Sequence, residues 1–344
     1  MKYRKLGTTE EEVSVICLGT MTWGNQNNES EGHAQMSYAL DHGVNFFDTA
    51  ELYAVPATKE TSGKTEEIMG TWFKKSGNRD KVFLASKIAG PGPYTSHIRE
   101  ASDYSPENLR EAVDGSLKRL QTDVMDLYQI HWPARATNFF GKRGYYHHDG
   151  WEDNFGMILE TLQEIIKSGK VRYIGISNET PWGLMTYLKH SAAKGLPRVV
   201  SVQNPYSLLN RTYEVGMAEM SIREKAGLLA YSPMAFGILS GKYIEGKDDP
   251  SSRINRYKTM TRYSSDNSLS ATQKYYDIAK ENGWSLAQMS LAWVNQQKFV
   301  TSNIIGATNL TQLEENINSI DLEIPKEVIK KINAVHEVYP NPAP

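Results

Sequence analysis

Cys17 is the chain's single cysteine, so no disulfide can close within it and no thiolate cage can hold a metal. That scarcity fits a reducing compartment, and a cytoplasmic location is the expectation. Apolar runs stay well short of the ~20 residues a bilayer-spanning helix needs, so no membrane insertion is expected. The opening MKYRKLGTTEEEV carries charge but no apolar core of a secretory signal. An excess of one charge is missing too: 38 Lys and Arg against 40 Asp and Glu leave −2. Nothing in that balance attracts nucleic acid. Metal signatures are absent, since there is no HExxH and the adjacent His147 and His148 cannot offer two ligands from one face. No metal site is expected. Phosphate-cradling glycine patterns are lacking as well. CLGTMTWGN (17–25) has two glycines and no third, and GILSGKY (237–243) has GK without a following Ser or Thr.

What is present is a chain of 344 residues, 40% hydrophobic and 23% charged, able to bury a sizeable core. Short β-rich runs alternate with helical patterns throughout. The strand candidates are 15–20, 44–49, 81–88, 123–131, 171–177, 199–205, 228–233 and 302–308. Several are nearly continuous apolar runs, as expected of parallel strands covered on both faces. Helical periodicity marks 33–43, ending at Gly43; 105–120, with Ser105 as cap and Pro106 at the first position; 179–195; and 311–320. Strand and helix alternating about every ~40 residues predict an α/β fold, a (β/α)₈ TIM barrel. A doubly wound sheet is the rival, disfavoured by the missing glycine fingerprint. The chain reads as one barrel domain over 1–344. Met1 to Ser14 predict a hairpin at the closed end, and long loops follow strands four (132–152) and seven (235–269).

Barrels of this kind place chemistry at the carboxyl ends of their strands. Asp48, Lys87 and His131 stand at three consecutive strand ends, and Tyr53 lies in the loop after Asp48. An ammonium favours a neighbouring phenolate and lowers its pKa, a carboxylate holds the lysine, and a histidine orients a carbonyl or relays a proton. The set suits protonation of a developing alkoxide. Singly, each has a structural explanation: a snorkelling lysine, an aspartate cap, a satisfied histidine. Spacing alone leaves both readings open.

At these residues the chain resembles the aldo-keto reductase superfamily. The likeness runs through LGTMTWG (18–24), GVNFFDTAELY (43–53), ASK (85–87), RLQTDVMDLYQIHWP (119–133), GKVRYIGISN (169–178), QNPYSLLNR (203–211), YSPMAFGILSGKY (231–243) and GATNLTQLEEN (306–316). Within that superfamily it is most similar to bacterial Tas-type NADP(H)-dependent reductases. The resemblance implies Tyr53 as general acid, Lys87 lowering its pKa, Asp48 pairing with Lys87, and His131 orienting the carbonyl of a small-molecule substrate.

It also implies an NADP(H) site. Thr20, Met21, Trp23 and Asp48 would face the cofactor, Ser177, Asn178 and Gln203 its carboxamide, and Tyr231 its nicotinamide ring. Ser232, Pro233, Met234, Leu239, Gly241 and Lys242 would surround the pyrophosphate, and Ser252 with Arg253 the 2′-phosphate. Gly306, Thr308, Gln312, Glu315 and Asn316 would take the adenosine. The expected substrate pocket is aromatic: Trp23, Trp132, Phe139 and Phe140, with Tyr145, Tyr146 and Trp151 as further candidates. Reduction of aldehydes or ketones is the activity implied. The alternatives are a cofactor-sensing accessory protein, as in the superfamily's potassium-channel β subunits, and a metal-dependent barrel hydrolase. Substrate identity and oligomeric state stay open.

Overall fold

The computed structural model describes residues 1–247, 250–257 and 261–344. Strands β1 (Tyr3–Lys5) and β2 (Glu12–Ser14) form the expected antiparallel hairpin. Eight parallel strands then close a barrel. They are β3 (Ile16–Gly19), β4 (Phe46–Asp48), β5 (Phe83–Ile88), β6 (Met125–Ile130), β7 (Val171–Ser177), β8 (Val199–Pro205), β9 (Gly227–Tyr231) and β10 (Val300–Ile305). β10 pairs with both β3 and β9, so the sheet has no edge and the doubly wound rival is excluded. Most strands are shorter than their apolar runs by one to three residues at an end, because pairing stops where the chain turns into its loops. The 171–177 and 199–205 runs match in full.

Two apolar layers explain the nearly continuous strands. Inside the barrel, Cys17, Phe46, Phe83, Ala85, Leu127, Val200, Leu229 and Ile304 stack above Leu6 and Val13 of the hairpin, which seal the floor. Outside it, Ile16, Leu18, Phe47, Leu84, Tyr128 and Ile174 face the helices. With both strand faces buried, alternation is lost.

The helices are α1 (Glu29–Asp41), α2 (Lys64–Ser76), α3 (Pro106–Leu120), α4 (Phe155–Lys167), α5 (Pro181–Lys194), α6 (Met217–Arg223), α7 (Arg253–Arg256), α8 (Asp266–Glu281), α9 (Leu286–Asn295), α10 (Leu310–Asn318) and α11 (Lys326–Val338). Helix α1 begins four residues before the expected 33, because Asn28 accepts from the Glu31 backbone N–H while the Glu31 carboxylate accepts from that of Asn28. Ser105 caps α3 as expected. Among the described residues, no helix is long and apolar enough to cross a membrane.

Candidate active site

Register decides which side chains meet. Asp48 ends β4 beside Ala85, and Lys87 lies beside Gln129 on β6. Lys87 Nζ donates to Asp48 Oδ2 at 2.6 Å and to the Thr49 carbonyl at 2.7 Å, and lies 3.5 Å from the Tyr53 hydroxyl. It also sits 4.9 Å from the centre of the Tyr53 ring. The His131 ring meets the Tyr53 ring edge-on with centroids 5.8 Å apart. The three side chains expected at the strand ends and Tyr53 from the following loop therefore converge on one point.

Asp48 keeps further company. Gln203 Nε2 donates to its Oδ1 at 2.8 Å and Gln129 Nε2 at 3.1 Å, so both carboxylate oxygens are satisfied. Gln129 escaped the sequence reading. Its signal was there: it lies two residues before His131, on the same face of β6. Gly175 makes room for it, since a Cβ there would lie 3.1 Å from the Gln129 side chain.

Electrostatics correct one expectation. Burial pushes the Tyr53 phenol up, Lys87 pulls it down and Asp48 pushes it up again; the net direction is upward. The predicted lowering by Lys87 exists but is outweighed by desolvation. Burial disfavours the Lys87 ammonium, yet the charges of Asp48 and Tyr53 and its hydrogen bonds to both hold its pKa above the usual lysine value. His131 is pushed well below its ordinary value by burial first and Lys87 second. It is neutral at pH 7, and its Nδ1 is buried with no partner among the described residues. Because the unfolded chain binds this proton near ~6.5 and the folded one only at lower pH, stability should fall as pH drops through that window. Urea titrations at pH 7 and pH 5 should show a smaller loss for His131→Asn than for the parent.

The tetrad opens into a cleft of about 1670 Å³. Asp48, Tyr53 and His131 line it, while Lys87 lies wholly buried behind them. Thr20 and Met21, then Ser177, Asn178 and Gln203, form its inner end. Tyr231 donates to Asn178 Oδ1 at 2.6 Å, and Asn178 Nδ2 donates to the His131 carbonyl at 2.8 Å, tying three strand ends together. Asn178 and Ser232 both hold positive φ, +55° and +54°, so backbone strain collects at this rim. Ser232, Pro233, Met234 and Lys242 continue the wall. Ser252 and Arg253 come next, with Gly306, Thr308, Gln312, Glu315 and Asn316 opposite. The Arg253 guanidinium lies 5.2 Å from the Phe236 ring, burial lowers its pKa, and no carboxylate pairs with it among the described residues.

Several expected residues lie elsewhere. Trp23 is fully buried; its indole donates to Gln35 of α1 and packs on Gly32, under the helices rather than in the cleft. Leu239 is in the outer core, and a Cβ on Gly241 would face Tyr276 and Leu286. Trp132 is buried, donating to the Pro91 carbonyl, and Phe139 stacks on it. Of the aromatic set only Phe140 reaches the cleft, resting edge-on against Trp132. Tyr145 and Tyr146 project from the surface, and Trp151 packs on Phe155 and Trp182. The loops supply Leu52, Val55, Pro56 and Tyr94 instead. Arg143 and Arg262, also on the wall, donate to the carbonyls of Pro342 and Pro344. Among the described residues, no three His, Cys, Asp or Glu side chains gather as metal ligands.

Comparison with known proteins bears on the family. The sequence model of the aldo/keto reductase family matches residues 15–337. The chain is 47% identical to Protein tas of Escherichia coli (strain K12), over 100% of both sequences. It is 33% identical to the uncharacterized oxidoreductase YrpG of Bacillus subtilis (strain 168), covering 99% of this chain and 97% of that one. Aldo-keto reductase yakc [NADP(+)] of Schizosaccharomyces pombe is 28% identical over 96% and 89% respectively. With a closed barrel and this match along nearly all its length, the chain belongs to the aldo/keto reductase family, a family of oxidoreductases.

Proposed function

We propose that this protein, working as one barrel unit over 1–344, reduces aldehydes or ketones to alcohols with NADPH, Tyr53 being the general acid. The observation that carries this is the buried contact chain from Asp48 through Lys87 to the Tyr53 hydroxyl, opening on a long cleft. When bound, the reduced nicotinamide supplies hydride to the carbonyl carbon. The chain's own residues do the rest. Tyr53 gives its proton to the oxygen as negative charge grows there, and Lys87, kept protonated by Asp48, stabilises the phenolate left behind. His131, held neutral, can hydrogen-bond the carbonyl oxygen without bringing a competing cation. Its orphaned Nδ1 suits a site completed by a ligand. Leu52, Val55, Pro56, Tyr94 and Phe140 exclude water from the reacting carbon.

The cleft walls fit the dinucleotide. Asn178, Gln203 and Ser177 offer amide and hydroxyl groups, and Tyr231 a ring face. Arg253, half-buried on the cleft wall and without a carboxylate partner among the described residues, suits a 2′-phosphate. NADPH should therefore be preferred over NADH. Loss of nicotinamide absorbance with a panel of aldehydes and ketones tests the reading; no turnover on any carbonyl would overturn it. Arg253→Ala should raise the KM for NADPH about 10–100-fold, the loss of a charge-assisted contact of about 1.5–3 kcal/mol. The KM for NADH should barely move. An equal rise with both cofactors would place Arg253 elsewhere.

A further inference from the structure

Behind the tetrad lies a buried ion pair with no part in the proton transfer. Glu51, 2% exposed, and Arg99, 9% exposed, join the loop after β4 to the loop after β5. Arg99 Nη1 donates to Glu51 Oε1 at 2.9 Å, and Nη2 to Oε2. Glu51 also lies between Asp48 and Tyr53, two residues from the phenol.

The hydrogen bonds around it follow a pattern. Beyond β4 the chain keeps pairing with β5: Thr49 N–H donates to the Ala85 carbonyl and Glu51 N–H to the Lys87 carbonyl. The next bond of a parallel ladder would run from Ala89 N–H to the main-chain carbonyl of Glu51. Ala89 N–H donates to Glu51 Oε1 instead, at 2.6 Å. The side chain thus replaces its own backbone as acceptor. Glu51's carbonyl is freed from the sheet while its N–H still pairs, and the chain turns so that Tyr53 comes back over Lys87. The Tyr53 N–H closes this turn on the Ala50 carbonyl at 3.0 Å. Arg99 fixes the carboxylate in the plane that reaches Ala89.

We propose that Glu51 and Arg99 are positioning residues, which set the separation between the Tyr53 hydroxyl and the Lys87 ammonium by ending the β4–β5 ladder with a side chain. The inference rests on Tyr53 being the acid. The charges acting on the phenol are those of Lys87 and Asp48, so Glu51 acts on it through placement.

Two neutral pairs separate placement from charge, since replacing both partners leaves no orphaned ion. Glu51→Gln/Arg99→Met keeps an acceptor for Ala89 N–H; Glu51→Ala/Arg99→Met removes it. At saturating NADPH and carbonyl, the Ala pair should lose at least about tenfold in kcat, with NADPH Kd within about twofold of the parent. Its alkaline pH–rate limb should move upward, because the phenol leaves the ammonium that lowers its pKa. The Gln pair should recover most of kcat and the parental limb. Equal kcat and equal pH profiles in the two folded double variants would overturn the proposal. Should the Ala pair not fold, Glu51→Leu/Arg99→Met, which fills the space without an acceptor, takes its place: an unshifted limb with parental kcat refutes placement, and a lowered kcat with unchanged NADPH Kd supports it. Tyr53→Phe measured alongside separates the two readings. If it is inactive while the Ala pair behaves like the parent, only the positioning role fails; if it is fully active, the acid assignment fails first.

Discussion

Tyr53→Phe should lower kcat about 100–10,000-fold, the usual worth of a positioned general acid. That range corresponds to about 2.7–5.4 kcal/mol on the barrier. The fold should survive. The hydroxyl makes one contact of 3.5 Å with Lys87, and the ammonium retains Asp48 and the Thr49 carbonyl as acceptors. NADPH affinity should be largely intact, because the amide and cationic groups facing the cofactor cleft do not bond to this hydroxyl. Nicotinamide fluorescence on titration checks the affinity, and stopped-flow loss of absorbance checks the rate. A variant with parental turnover would show that the proton comes from elsewhere, with His131 and water the next donors in reach. The upward pKa of the phenol makes the prediction sharper: the acid is fully protonated at pH 7, so the rate should be flat across neutrality and fall only on the alkaline side.

The barrel and the four converging side chains were legible because both depend on local pattern. Strand ends are marked by the chemistry that follows the apolar run, and Asp48, Lys87 and His131 each stand at such an end. Tyr53 needed the loop to return over β5, which no periodicity encodes; it joined the set through the chemistry of a phenol near an ammonium, and the family likeness strengthened that reading. Trp23 was misplaced for a related reason. Its neighbours Thr20 and Met21 reach the cleft, but Gly24 at φ +97° turns the chain and the indole drops beneath α1. Trp132 stays beside the site, its ring against those of His131, Tyr94 and Phe140, but these cover it from the cleft and its indole donates to the Pro91 carbonyl. The sign of the Tyr53 shift could not be read either. A neighbouring lysine shows in a sequence, whereas the depth of burial that outweighs it is a property of the closed barrel. Gln129 and Glu51 were overlooked because an amide in an apolar strand and a carboxylate in a loop look unremarkable until their partners are known.

Lys87→Met should have the second large effect, and on two quantities at once. Methionine matches the stem but leaves the Asp48 carboxylate inside the barrel with only the Gln203 and Gln129 amides. Breaking one side of a buried pair costs about 3–5 kcal/mol, readable as a lowered urea midpoint. Turnover should fall by about the same 100–10,000-fold as for Tyr53→Phe, since the phenolate formed by proton transfer loses its counter-charge. The stability gap has a defined pH dependence. Because the folded pKa of Lys87 lies above that of the unfolded chain, its contribution is complete below ~10.5 and is lost as pH rises through the folded value. The gap between parent and variant should thus be constant through neutral pH and narrow only in strong alkali. Asp48→Asn/Lys87→Met separates stability from chemistry. With neither charge buried, most of the lost stability should return, yet the phenol would still lack an ammonium and turnover should stay low. Recovery of turnover together with stability would mean that the pair only supports the fold, and that the acidity of Tyr53 is set without it.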